Sequence, residues 1–288
     1  MQNAESIKNA LKSRLLDMVE SRGEYLKYAE FLAVIGIKIN NRTLLLSSCL
    51  DDVTRRYIDG ICERVTHDCS GGTPAKISID SDLYQIFGRS GVARSLKQSL
   101  VADDDAGLET DNNVVDRYLD ILDFEAIAKA INVQAASLKE EGLAMMGKII
   151  IDELNLRSEY WSAPRLDKNR VVCRSYAFNY WHANAKIANL KTLQNGFSTI
   201  ENEAGLAFGS AMADYITAAG NLCYGQEKIA SRTVCGKGGH LEIHCFKDKH
   251  EYRFSKTAFD AILAFLTING HPDATDAMMA NLYGAEAA

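Results

Sequence analysis

Between Ala4 and about residue 32, Ile7, Leu11, Leu15, Val19, Leu26 and Phe31 recur at helical spacing with charged residues between them. The pattern predicts an amphipathic helix, or a helix pair broken near Gly23. Val53, Tyr57, Ile61 and Val65 step by four and predict a second helix over 51–66. After the turn residues 70–73, Ser81 or Asp82 is placed to cap a third helix reaching about residue 100. Residues 114–131 and 135–156 read as two more helices, the second striped by Leu143, Met146, Ile149, Ile150 and Leu154.

Beyond Pro164 the pattern changes. Val171-Val172-Cys173-Arg174-Ser175-Tyr176-Ala177-Phe178 favours a strand. Ser198-Thr199-Ile200-Glu201 matches a capping box and should open a small-residue helix ending near Gly220. Two β-like runs, 228–235 and 240–246, flank Gly236-Lys237-Gly238-Gly239 and signal a hairpin. On such a strand His240, Glu242 and His244 share one face, and Leu241, Ile243 and Cys245 the other. Ser255 then caps a final helix through Leu266. The expected fold class is α+β, helix-dominated, with a small antiparallel sheet or hairpin in the C-terminal half. An acidic stretch over 102–111 divides an N-terminal helical region, 1–101, from a C-terminal α+β domain, 112–288, unless both pack as one unit.

Composition narrows the class. At 47% hydrophobic and 24% charged, the 288 residues have the make-up of a globular protein rather than a disordered one. Only 3 prolines leave room for long helices. The 7 cysteines are widely spaced and odd in number, and the first residues lack a secretion pattern, so a cytoplasmic location with free thiols is expected. No stretch approaches the roughly 18 apolar residues of a membrane span.

The net charge of −6 excludes a uniformly basic surface, but it averages opposed segments. Residues 101–125 hold nine acids and one base, Arg117. Residues 165–191 hold one acid, Asp167, and six bases: Arg165, Lys168, Arg170, Arg174, Lys186 and Lys191. Tyr176, Phe178, Tyr180 and Trp181 are interleaved with these bases, and Lys237 lies in the hairpin turn. Bases neutralise phosphates and rings stack on unpaired bases, so Arg165, Lys168, Arg170, Arg174, Tyr180, Trp181, Lys186 and Lys237 are the expected nucleic-acid contacts. The plainer reading makes the rings core residues of a sheet and the charges its solvated edge. The acidic stretch either covers the basic face or meets a partner.

Catalytic and metal signals are sparse. His240 and His244 on a strand are roughly 13 Å apart, too far to share one ion. Cys62-Glu63-Arg64-Val65-Thr66-His67-Asp68-Cys69 lacks zinc-site spacing, so no metal and no cofactor is expected. Gly236-Lys237-Gly238-Gly239 lacks the Gly-Lys-Ser/Thr ending of a phosphate loop and precedes a strand. The remaining catalytic candidates are His240, Glu242 and His244, with a histidine as general base.

The order of four segments carries a resemblance: Gly142-Leu143-Ala144-Met145-Met146, Arg170-Val171-Val172, Gly238-Gly239-His240-Leu241-Glu242-Ile243 and Phe259-Asp260-Ala261-Ile262. Over about residues 80–268 the chain resembles a domain family of unknown function from bacteriophages and bacterial mobile elements. Members carry an Asn-Gly turn before His-Leu, where this chain has Gly-Gly. The resemblance implies a setting of DNA modification or defence conflict and assigns no catalytic residue. The leading expectation is therefore a non-enzymatic phage or mobile-element accessory protein that binds a host protein or nucleic acid in defence or counter-defence. The alternatives are a nucleic-acid-acting enzyme using the His/Glu strand face, and a helical assembly protein forming homo-oligomers.

Overall fold

The computed structural model describes residues 1–34, 46–86, 112–157, 163–177, 183–220, 229 and 231–283. Within them the chain is helix-dominated α+β, with eight α-helices and a five-stranded antiparallel sheet in the C-terminal half. It divides into two compact units, Met1–Ser70 with Lys76–Leu138, and Gly71–Ala75 with Lys139–Ala288. No described helix is long and apolar enough to cross a membrane.

The first unit contains α1 (Ala4–Val34), α2 (Leu46–Cys69), α3 (Asn112–Ile121) and the start of α4 (Phe124–Glu153). Ile7, Leu11 and Leu15 bury one stripe of α1. The helix runs unbroken through Gly23, since one glycine costs about 1 kcal/mol against alanine and the buried stripe outweighs it. The break expected over 132–134 falls instead at Leu122–Asp123, where the Asp123 carboxylate accepts from Ala126 N at 2.9 Å and caps α4. Asn132 lies inside α4 and donates to Gln2 O at 2.9 Å.

Of the helix expected after residue 80, the described part is a 3₁₀ turn, Ser81–Leu83, capped by Asp80 rather than by Ser81 or Asp82. Buried Asp51 fixes this segment to α2 and α3. Its Oδ1 accepts from Ile86 N and from the Tyr118 hydroxyl, each at 3.0 Å, and Thr54 Oγ1 lies 3.0 Å from the same hydroxyl. Two acids of the 101–125 stretch pair within this unit, Asp116 with Lys12 at 2.6 Å and Asp120 with Lys8 at 3.0 Å. Residues 101–111, the most acidic part of that stretch, lie outside the described residues.

The second unit is built on the sheet. Its strands are β1 (Arg165–Asp167), β2 (Arg170–Tyr176), β3 (Val234–Cys235), β4 (Leu241–Cys245) and β5 (Lys249–Ser255), in the order β1-β2-β5-β4-β3. The expected hairpin is present as β3 and β4, but the central strand, β5, has no counterpart in the sequence reading. Val171 and Cys173 of β2, Leu241, Ile243 and Cys245 of β4, and Tyr252 and Phe254 of β5 are buried in one cluster with side chains of α4, α5 (Ala183–Ala204), α6 (Gly209–Gly220), α7 (Lys256–Ile268) and α8 (Pro272–Tyr283). The Phe254 ring meets Phe197 at 5.7 Å and Phe259 at 6.0 Å between centroids. Burying each such ring stabilises by about 2–3 kcal/mol.

The capping box at Ser198–Glu201 does not cap: it lies inside α5, because Leu190, Leu193, Phe197 and Ile200 make one buried stripe that carries the helix through. The break comes at Gly205, at φ 65°, and the Glu201 carboxylate accepts from Gly209 N at the start of α6. Ser255 caps α7 as expected, its Oγ accepting from Ala258 N at 3.2 Å. Gly270, at φ 87°, then turns the chain into α8, which the sequence reading did not include.

Candidate functional site

Strand alternation puts a second set of side chains on the face away from the core. Residues paired across an antiparallel ladder share a face. The register Asp167↔Arg170↔Ser255, Arg165↔Val172↔Arg253↔Glu242 and Arg174↔Glu251↔His244 therefore brings strands β1, β2, β5 and β4 together on one charged surface. Five cations stand there, Arg165, Arg170, Arg174, Lys249 and Arg253, against three carboxylates, Asp167, Glu242 and Glu251. None of these eight belongs to the core cluster.

Glu251 organises the centre. Its side chain is 2% exposed. It accepts from Arg174 Nε at 3.3 Å, Lys249 Nζ at 3.0 Å and Arg253 Nη2 at 2.9 Å, and Arg165 Nη2 lies 3.7 Å away. Burial alone would raise the carboxyl; the hydrogen bonds from Arg253 and Lys249 overcome that and hold it at about 2. Glu242 is a second anchor, accepting from Gly238 N at 2.7 Å, with His244 Nε2 at 3.1 Å and Arg170 Nη2 at 3.4 Å. Its burial is likewise outweighed by these donors, and its carboxyl is lowered. Arg170 is also fixed to backbone, donating to Arg253 O at 3.1 Å and Gly239 O at 3.0 Å. Arg253 reaches Asp167 at 3.4 Å.

The two hairpin turns rise at the same end of the sheet, where β5 enters α7. Lys168 sits in the β1–β2 turn at φ 57° and is exposed. Lys237 is exposed in the turn from Gly236 to Gly239. At that end His240 Nδ1 lies 2.9 Å from Ser255 Oγ, the cap of α7.

His240, Glu242 and His244 thus share the polar face, with Leu241, Ile243 and Cys245 buried on the other, as alternation requires. The two histidines keep different partners, Ser255 and Glu242, and their separation of about 13 Å along the strand keeps them from acting on one atom. Glu242, lowered and tied to three donors, is an anchor rather than a proton donor at neutral pH. No three His, Cys, Asp or Glu side chains among the described residues converge as metal ligands.

Of the other expected contacts, Arg165, Arg170 and Arg174 come together on this face, with Lys168 and Lys237 at its end. Lys186 does not join them. It sits on α5 and pairs with Glu153 on the helical side of the sheet, near His250 and its partner Tyr215. Desolvation first, then the Lys186 charge, lowers the buried His250 imidazole to about 4. Tyr180 and Trp181 lie outside the described residues. The sequence reading missed Glu251, which holds the arginines. The only sequence signal for it is the alternation of His250, Tyr252 and Phe254 against Lys249, Glu251 and Arg253, a strand pattern with charges on its outer positions. Compared with protein families, curated proteins and solved structures, the chain finds no match.

Proposed function

We propose that this chain is a binding protein that engages nucleic acid through the polar face of its sheet, as an accessory protein of a phage or mobile element. The observation that supports it most is the gathering of Arg165, Arg170, Arg174, Lys249 and Arg253 on one surface with three carboxylates, flanked by exposed Lys168 and Lys237. Glu251 and Glu242 fix the arginines before any partner arrives, so little side-chain freedom is lost on binding. Phosphates would exchange for counterions at the excess cations, which makes affinity fall with salt. The mobile-element setting rests on the order of short segments between residues 80 and 268 alone.

The test is a mobility-shift series from about 50 to 300 mM salt with the wild type and with Lys168→Glu and Lys237→Glu. Binding should weaken with salt, and each reversal should lower affinity severalfold and flatten the salt slope by about 1. Absence of any complex at the lowest salt would remove the proposal. Capture of a host protein that survives nuclease treatment would redirect it to a protein target.

A further inference from the structure

We infer that the nucleic acid taken by this face is single-stranded, with its bases laid on Tyr176 and Phe246 at the end of the sheet opposite the two lysine turns. The inference rests on the nucleic-acid reading above and adds the class of strand. Tyr176 ends β2 on the polar face and is 65% exposed, while most large apolar side chains of this unit are buried. Lys249 stands opposite it in the register. On the other side of Lys249 comes Phe246, whose N donates to Lys249 O at 2.8 Å and whose ring lies 5.2 Å from Lys249 Nζ. A ring, a cation and a ring therefore follow one another across three neighbouring chain segments, spanning about 10 Å at the usual strand spacing.

Behind this row lie Arg174 and Glu251, and beyond them Arg253 and Arg170, so the cations continue from the aromatic end toward Lys168 and Lys237. A single strand presents what this arrangement can use: an open π-face on every base, with phosphates alongside. A duplex does not. Its bases are stacked on one another, and its major groove, about 12 Å wide, admits a helix or a two-stranded ribbon rather than the face of a five-stranded sheet about 20 Å across. The exposed ring and the breadth of the surface both favour the unpaired strand.

The experiment uses the full chain and fluorescence anisotropy at about 50 mM salt. The probes are a labelled 12-nucleotide single-stranded DNA, the duplex of the same sequence, and polyglutamate as an unlabelled competitor. Tyr176→Ala and Tyr176→Phe are measured beside the wild type, with circular dichroism melts to verify that each stays folded. The single strand should bind at least about tenfold tighter than the duplex. Tyr176→Ala should lose about tenfold on the single strand, the size expected for one stacked base, and Tyr176→Phe should retain affinity. Equal or tighter duplex binding, or a Tyr176→Ala variant of unchanged affinity, overturns the single-strand inference and leaves the binding reading standing. Displacement of the strand by polyglutamate at charge-equivalent concentration overturns it in favour of an acidic polypeptide partner. No binding of either nucleic acid overturns both.

Discussion

Glu251→Gln keeps the shape of the side chain and removes its charge, leaving Arg174, Lys249 and Arg253 around an amide. In the folded protein this carboxyl titrates at about 2, against an ordinary 4.5. At about 1.4 kcal/mol per pH unit the difference is worth about 3 kcal/mol of stability. The sign follows from proton binding. Between pH 4.5 and 2 the unfolded chain carries this proton and the folded chain does not, so the contribution is complete above 4.5 and drains as pH falls toward 2. Urea unfolding followed by circular dichroism at pH 7 should therefore show the variant less stable by about 3 kcal/mol, in line with breaking a buried ion pair. The deficit should shrink to less than half by about pH 3, because the wild-type carboxyl is by then losing its own advantage. A deficit below about 1 kcal/mol at pH 7, or one of the same size in acid, would show that the cations do not depend on this carboxylate.

A second acid-sensitive group sits on the opposite face. His250 is held at about 4 against an ordinary 6.5, so the unfolded state gains the proton first and wild-type stability should fall by about 3 kcal/mol as pH drops from 6.5 to 4; His250→Gln should flatten that part of the stability curve, and an unchanged slope would place the sensitivity elsewhere. Gly236→Ala should destabilise by at least about 2 kcal/mol, since a Cβ there overlaps Ala211 and the Leu241 carbonyl at φ 68°. Adding Ala211→Gly should restore only part of that loss, because the backbone conflict remains; full restoration in thermal melts would contradict it. Tyr118→Phe should cost about 1–3 kcal/mol in urea unfolding by removing a hydroxyl donor from buried Asp51, and a neutral result would mean that water replaces it.

The elements that read correctly from sequence are those whose period and end signals agree. β4 alternates cleanly and follows a glycine turn; α7 has a serine cap and a continuous apolar stripe. Failures came where local signals competed with packing. Ser198-Thr199-Ile200-Glu201 has the letters of a helix start, but the buried stripe through Phe197 and Ile200 overrides them. At Gly23 the sequence leaves one helix or a broken pair open, and the buried stripe of α1 decides for the single helix. The central strand escaped notice because His250 and Tyr252 are its inner residues, and polar letters at buried positions disguise the period. Half of the candidate site was legible: the basic segment and the His/Glu strand could each be marked, but not that they share a face. That fact depends on β5 lying between them, and a long-range pairing such as Arg174↔Glu251 leaves no trace in local spacing.

Ser255 closes the register of β5 against Arg170 and in the same place caps α7, so strand passes into helix with no residue to spare. The joint behaves as a keyed coupling. One residue added or removed there would turn α7 by about 100° or invert the strand, sending Phe254 to the solvent and Arg253 into the core. The Lys247–Asp248 turn at the other end of β5 starts no helix; Asp248 O accepts from Ala177 N at 3.1 Å, so a change of length there disturbs the sheet's end but leaves the seat of α7 alone. The interval from Glu251 to Phe259 is therefore fixed in length as well as in its key residues, and a single insertion within it should unseat the sheet and α7 together.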